Sequence, residues 1–183
     1  MASRAVPLLL TVLVCSAARA DVVVDGGLLV RRPSALPAGL SSGAFAGVGF
    51  GAGLLGWGVS ASWSSATEMS PSWIVRHDDL RLRAQASVAR ELGRGTVALR
   101  AGVGLTSVIE SRTRQQGERA GLEGDALHTR AVVWLPALEL ELVVRLRLVG
   151  DWGVTVGMGP SLELLDGTPR AGWAGLLGLA WRG

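Results

Sequence analysis

The sequence predicts an all-β chain: an eight-stranded antiparallel transmembrane β-barrel with up-and-down meander connectivity. Three observations carry this. Stretches in which apolar residues alternate with small or charged ones recur between residues 22 and 181, and period two is the mark of a strand with unlike faces. The links between them alternate short and long, as small outer-membrane barrels alternate inner turns with outer loops. The last stretch carries a tryptophan near each end and aliphatics between, which suits a strand crossing a bilayer.

Residues 1–20 precede the strands and read as a cleaved secretory signal. Arg4 is the basic start, Val6–Ala17 the apolar segment, and Ala18-Arg19-Ala20 the small-x-small cleavage pattern. That apolar run has 12 residues and includes Pro7, whereas a spanning helix needs roughly 20. Cys15 does not mark a lipoprotein, because Val14 precedes it where a small residue is needed. Residues 21–183 then form one barrel domain.

The first strand sets Val22, Val24, Gly26, Leu28 and Val30 against a face bearing Asp25. The second opposes Ala44, Ala46, Val48 and Phe50 to Phe45, Gly47, Gly49 and Gly51. The third opposes Trp57, Val59, Ala61 and Trp63 to Gly58, Ser60, Ser62 and Ser64. In the fourth, Leu80, Leu82, Ala84, Ala86 and Val88 face away from Arg81, Arg83, Gln85 and Ser87. The fifth sets Val97, Leu99, Ala101, Val103 and Leu105 against Ala98, Arg100, Gly102, Gly104 and Thr106. The sixth runs from Leu138 to Leu148 with Glu139, Glu141, Val143, Arg145 and Arg147 opposite. The seventh opposes Trp152, Val154, Val156 and Met158 to four residues of which three are glycine. The eighth places Trp173, Gly175, Leu177, Leu179 and Trp181 on one face.

Short links are expected at Ala52–Gly56, Leu92–Gly95 and Val149–Asp151. Longer ones are expected at Arg32–Ser41, Ser65–His77, Ser111–Ala126 and Leu165–Arg170. Pro136 cannot donate to a ladder, so a bulge or the barrel rim is expected there.

Alternation alone does not say which face meets water, because a soluble barrel alternates too, with its apolar face inside. The second face decides. It is mostly Gly, Ser, Ala and Thr, and glycine weakens a solvated strand. Inside a narrow lumen, small residues leave room for a few long charged ones. The predicted lumen network is Asp25, Arg81, Arg83, Arg100, Glu139, Glu141, Arg145 and Arg147, five arginines against three acids. Water, loop carboxylates or anions are expected to balance the remainder. Trp57, Trp152 and Trp181 form the inner girdle, and Trp63, Trp134 and Trp173 the outer. Trp173 and Trp181 are separated by ~27 Å along a strand at roughly 3.4 Å per residue. A tilt near 40° turns this into about 20 Å of height, close to the apolar band.

On these residues the chain resembles the small eight-stranded outer-membrane proteins of the OmpA and OmpX type, over roughly Val22 to Trp181. The most specific part is the final strand, where Gly175, Leu177, Leu179 and a closing aromatic look like the signal read by the barrel-assembly machinery. Trp181 is followed by Arg182-Gly183, whereas such proteins typically end on the aromatic. The resemblance implies integral residence in a Gram-negative outer membrane, contact with its lipids and lipopolysaccharide, and a monomer.

The remaining features exclude more than they assign. After residue 20 the chain keeps 16 arginines against 15 acids and no cysteine, so no disulfide or thiolate metal site is expected. Lys, Tyr and Asn are absent, which a GC-rich genome explains, and the high isoelectric point reflects an Arg-only cation set rather than a nucleic-acid patch. Gly47–Gly53 mimics a dinucleotide loop, but its glycines recur every second residue and no helix follows. His77, beside Asp78 and Asp79, and His128 lie near outer strand ends without ligand spacing, so no metal or cofactor is expected. Residues 111–125 mix charges, with Arg112, Arg114 and Arg119 available for phosphates. The leading expectation is a non-enzymatic barrel with a plugged polar lumen acting through its external loops. A small pore for polar solutes and a lipopolysaccharide-modifying rim enzyme are the alternatives.

Overall fold

The computed structural model describes residues 21–32, 39–115 and 128–183. The expected leader, with Cys15, lies outside the described residues, as does Arg119. Among the described residues every regular element is a strand. They are β1 (Asp21–Arg32), β2 (Ser41–Ala52), β3 (Leu55–Met69), β4 (Trp73–Leu92), β5 (Gly95–Arg114), β6 (His128–Val149), β7 (Trp152–Leu165) and β8 (Thr168–Arg182). Each pairs antiparallel with the next, and β8 returns to β1 from Val23↔Arg182 to Arg32↔Trp173, closing the barrel.

The period-two pattern becomes a strict division of faces. Odd residues of β1, β4, β6 and β7 turn inward, as Asp25, Arg81, Glu141 and Glu163 do. The even residues of β3, β5 and β8 match them, as Ser62, Arg100 and Leu176 show. Outside stand Leu28, Val59, Leu82, Val103, Leu140, Leu142, Val156 and Leu177, all exposed. This is the arrangement of a barrel whose apolar surface meets lipid and whose polar surface meets itself.

Three two-residue turns join strands at the end that carries Asp21 and Arg182: residues 53–54, 93–94 and 150–151. Each begins with a glycine at positive φ (Gly53 64°, Gly93 63°, Gly150 56°), the residue a tight hairpin turn requires there. At the opposite end two expected long links are corrected. Residues 65–77 are mostly strand, with only residues 70–72 between β3 and β4. Between β7 and β8 stand only Asp166 and Gly167, both at positive φ (50° and 76°), the Asp-Gly pair of a type I′ hairpin. The strands therefore run further out than the alternation alone indicated; β4, β5 and β6 reach 20, 20 and 22 residues.

Pro136 does not make the expected bulge. The β5–β6 register passes through Leu105↔Pro136 unbroken. The β6–β7 ladder starts one residue later, at Ala137↔Glu163, so Pro136 stands just beyond the outer end of that pairing. The register shift of that ladder lies instead between Arg147 and Val149.

The inward glycines serve two ends. A Cβ on Gly47 would lie 2.8 Å from Asp25 Oδ1, so this glycine makes room for a charged side chain. A Cβ on Gly159 would collide with the Leu140 carbonyl on the next strand, so that glycine lets two backbones approach closely. A tightly coiled ring of eight strands needs both.

Candidate functional site in the barrel lumen

The lumen holds two ionic layers. The outer layer centres on Arg81, whose residue exposure is 1 %. Its Nε donates to Thr106 Oγ1 at 2.8 Å, and its terminal nitrogens pair with Glu139 and Glu163. Glu163 also binds Arg31, which lies 3.5 Å from Asp79. Glu139 also binds Arg83, whose Nε donates to Ser60 Oγ at 3.0 Å. The result is one alternating chain, Asp79–Arg31–Glu163–Arg81–Glu139–Arg83, contributed by β1, β4, β6 and β7.

The inner layer lies nearer the three glycine turns. Asp25 Oδ2 accepts from Arg100 at 2.6 Å and from Arg145 at 2.9 Å, and Arg100 lies 3.5 Å from Glu141. Between the layers, Leu29, Phe45 and Leu176 pack as a buried apolar cluster on the β8–β1–β2 wall, with Ala174 against it. Val143 and Leu135 are buried from the β6 side.

These contacts change the expected charge balance. Five guanidiniums (Arg31, Arg81, Arg83, Arg100, Arg145) meet five carboxylates (Asp25, Asp79, Glu139, Glu141, Glu163), so the strands themselves supply the neutralising charge. Arg147 is corrected out of the network. It sits at the turn end of β6 with its side chain 65 % exposed, bonded to the Gly150 carbonyl and 3.4 Å from Asp151. Arg31, Asp79 and Glu163 lie outside the predicted network, because the alternation of their strands is read only to Val30, from Leu80 and to Gly159. Their parity is the same as that of Asp25, Arg81 and Gly159, and would have found them. A buried guanidinium without its carboxylate is strongly unfavourable, so the pairs hold each other in place.

His77 is buried in the lumen above the outer layer, Nδ1 3.6 Å from Glu110 Oε2. His128 is exposed, its Nδ1 3.1 Å from Thr113 Oγ1. The two imidazoles stand on opposite faces of the wall, so they do not converge on a common reaction centre. Among the described residues no group of three or more His, Cys, Asp and Glu is arranged to hold a metal ion. Arg112 pairs with Glu110, and Arg114 lies over the Trp73 ring at 4.2 Å.

Six of the seven tryptophans, all but Trp73, face outward. Trp63, Trp134, Trp152 and Trp173 are exposed, while Trp57 stacks on Phe50 at 4.5 Å and Trp181 pairs in register with Trp152. Trp57, Trp152 and Trp181 occupy strand ends beside the glycine turns.

Comparison with solved structures matches this arrangement. Neisserial surface protein A superposes with a TM-score of 0.61 at 13% identity, covering 89% of this chain and 95% of that one. The attachment invasion locus protein Ail of Yersinia pestis gives 0.55 at 13% identity, over 90% and 99%. Its complex with the heparin analogue sucrose octasulfate gives 0.53. The fold is that of the small eight-stranded outer-membrane barrels. At this identity the likeness is one of fold alone. No family model and no curated protein matches the chain.

Proposed function

We propose that the chain is a non-enzymatic integral protein of a Gram-negative outer membrane. Its lumen is plugged by ion pairs, and it acts through its external loops. The glycine turns then face the periplasm, and the opposite ends of the strands face outward. What supports this reading is a continuous salt-bridge chain set over a second ionic layer, with an apolar cluster between. An outer wall of aliphatics with tryptophans at its margins supports residence in lipid. Likeness in fold to a surface protein and to an attachment protein supports a role in contact rather than chemistry. Outer-membrane lipids and lipopolysaccharide are the expected surroundings, and the β8 face with Gly175, Leu177, Leu179 and Trp181 is the segment offered to the assembly machinery.

Reconstitution in planar bilayers tests this. The wild-type barrel is expected to show no steady single-channel conductance. Replacing Arg81, Glu139 and Glu163 together with Asp25 and Arg100 by Ser, which breaks both ionic layers, is expected to open one. Steady conductance from the unaltered protein would replace the plugged reading with that of a small pore.

A further inference from the structure

The two halves of the lumen differ. The outer half is filled by the Arg81-centred chain. The other half, below Arg100 and Arg145, contains a cavity of about 750 Å³ that opens between the glycine turns. Gly49, Gly51, Gly56 and Gly153 keep its walls thin, and Gln85, Ser87 and Thr96 add polar groups to its lining.

The cavity mouth carries an unusual contact. Arg182, just past the closing aromatic, binds Asp21 on the adjacent β1 and Glu91 on β4. In a ring of eight strands, β4 and β8 are diametrically opposite. Arg182 therefore spans the opening from one wall to the other. Its neighbour Gly183 exchanges backbone hydrogen bonds with Val22 at 3.0 and 3.1 Å, which anchors the foot of the span.

Hydrogen-bond capacity indicates what the cavity accepts. The carboxylates at its mouth and floor are already engaged: Asp21 and Glu91 by Arg182, Asp25 by Arg100 and Arg145, Asp151 by Arg147. Donors remain over. Arg145, held by Asp25 through one terminal nitrogen, and Arg94, exposed in the turn at the mouth, both line the cavity, where five arginines (Arg94, Arg100, Arg145, Arg147, Arg182) stand against three acids (Asp21, Glu91, Asp151). A guanidinium carries five donors and a carboxylate about four acceptor sites, so an equal number of each leaves N–H groups unanswered. An oxyanion answers them best.

We propose that the turn-side half of the lumen is a binding vestibule for small solutes bearing a carboxylate or phosphate group, entered from the periplasm and spanned at its mouth by Arg182. The solute's anionic group meets Arg145 and Arg94. The outer ionic layer ends the chamber, so the vestibule is blind. This differs from a pore, because nothing is required to pass the Arg81 layer.

The absence of cysteine from the strands makes the test direct. A single cysteine placed by Ser87→Cys in the detergent-refolded barrel is reacted with two methanethiosulfonates, one carrying a sulfonate and one a quaternary ammonium, each rate normalised to free cysteine. An electropositive cleft concentrates anions, and an anionic preference of about tenfold is expected. Arg94→Gln with Arg145→Gln is expected to abolish it. Inorganic phosphate is expected to slow a neutral reagent at the same site. Arg182→Gln with Glu91→Gln, which removes the span without changing net charge, is expected to speed both charged reagents. Thr106→Cys, above the inner layer, is expected to stay unreactive. Gln85→Cys serves in place of Ser87→Cys if the latter fails to show the heat-dependent gel shift of a folded barrel. Equal normalised rates, or no slowing by phosphate, would overturn the anion site. Unchanged rates in the Arg182/Glu91 variant would overturn the span, and reaction at Thr106→Cys would overturn the blind chamber.

Discussion

At the scale of single residues, two arginines that look alike in the sequence have opposite fates. Arg81 is sealed among Glu139, Glu163 and Thr106, whereas Arg147 leans over the rim into solvent. Arg81→Met leaves buried carboxylates short of a partner, and such breaks cost about 3–5 kcal/mol. A urea unfolding midpoint in lipid vesicles should fall accordingly, and Glu163→Gln in the same chain should restore part of the loss. Arg147→Ala removes an exposed pair and should change stability by less than about 1 kcal/mol. Equal losses from the two would contradict the division between lumen and rim drawn here.

At the scale of the strand, glycine position matters more than glycine content. Gly159→Val would drive a side chain into the backbone of β6, while Gly49→Ala meets only ordinary contacts, the nearest at 3.6 Å from the Trp57 carbonyl. The first is expected to abolish the heat-dependent gel shift and the second to preserve it. The same scale explains what could be read from the sequence. The alternation of Leu80–Val88 and Leu138–Leu148 located strands and faces, because a period of two admits only one inward set. Asp25, Arg100 and Arg145 fell on one side of the wall by parity alone. Strand ends were harder. Above the lipid the outward face no longer needs to be apolar, so the pattern fades at Asp78, Ser111 and Arg130 although the ladder continues. Arg31, Asp79 and Glu163 were lost with those ends, and with them the charge balance of the lumen. The two-residue Asp166-Gly167 turn replaces the longer link expected at Leu165–Arg170, although that dipeptide between alternating stretches is itself the mark of a tight hairpin. Pairings between particular arginines and acids were not legible, because they depend on how far each strand is staggered around the ring.

At the scale of the whole molecule, the exposed aliphatic surface has one use only in the reading proposed here, as a lipid contact. Leu140→Arg, placed outward on β6, is expected to destabilise the barrel by about 2–4 kcal/mol if it lies at the bilayer midplane. The conservative Leu140→Val should do little. Unfolding in vesicles of defined thickness checks both. A protein that stayed monodisperse in water without amphiphile would contradict the assignment of faces outright.

The closing ladder between β1 and β8 has a kinetic consequence. Seven of the eight ladders zip strands that follow one another in the chain, but this one joins Val23 to Arg182 and Arg32 to Trp173. Its contacts are the most distant along the polypeptide, so the loop entropy of the whole barrel falls on them. Until they form, both strands present a row of unanswered amides and carbonyls. Completion of the ring is thus the step at which an inserting chain stops being a sticky open sheet, and the moment at which its opposing charges are first brought together.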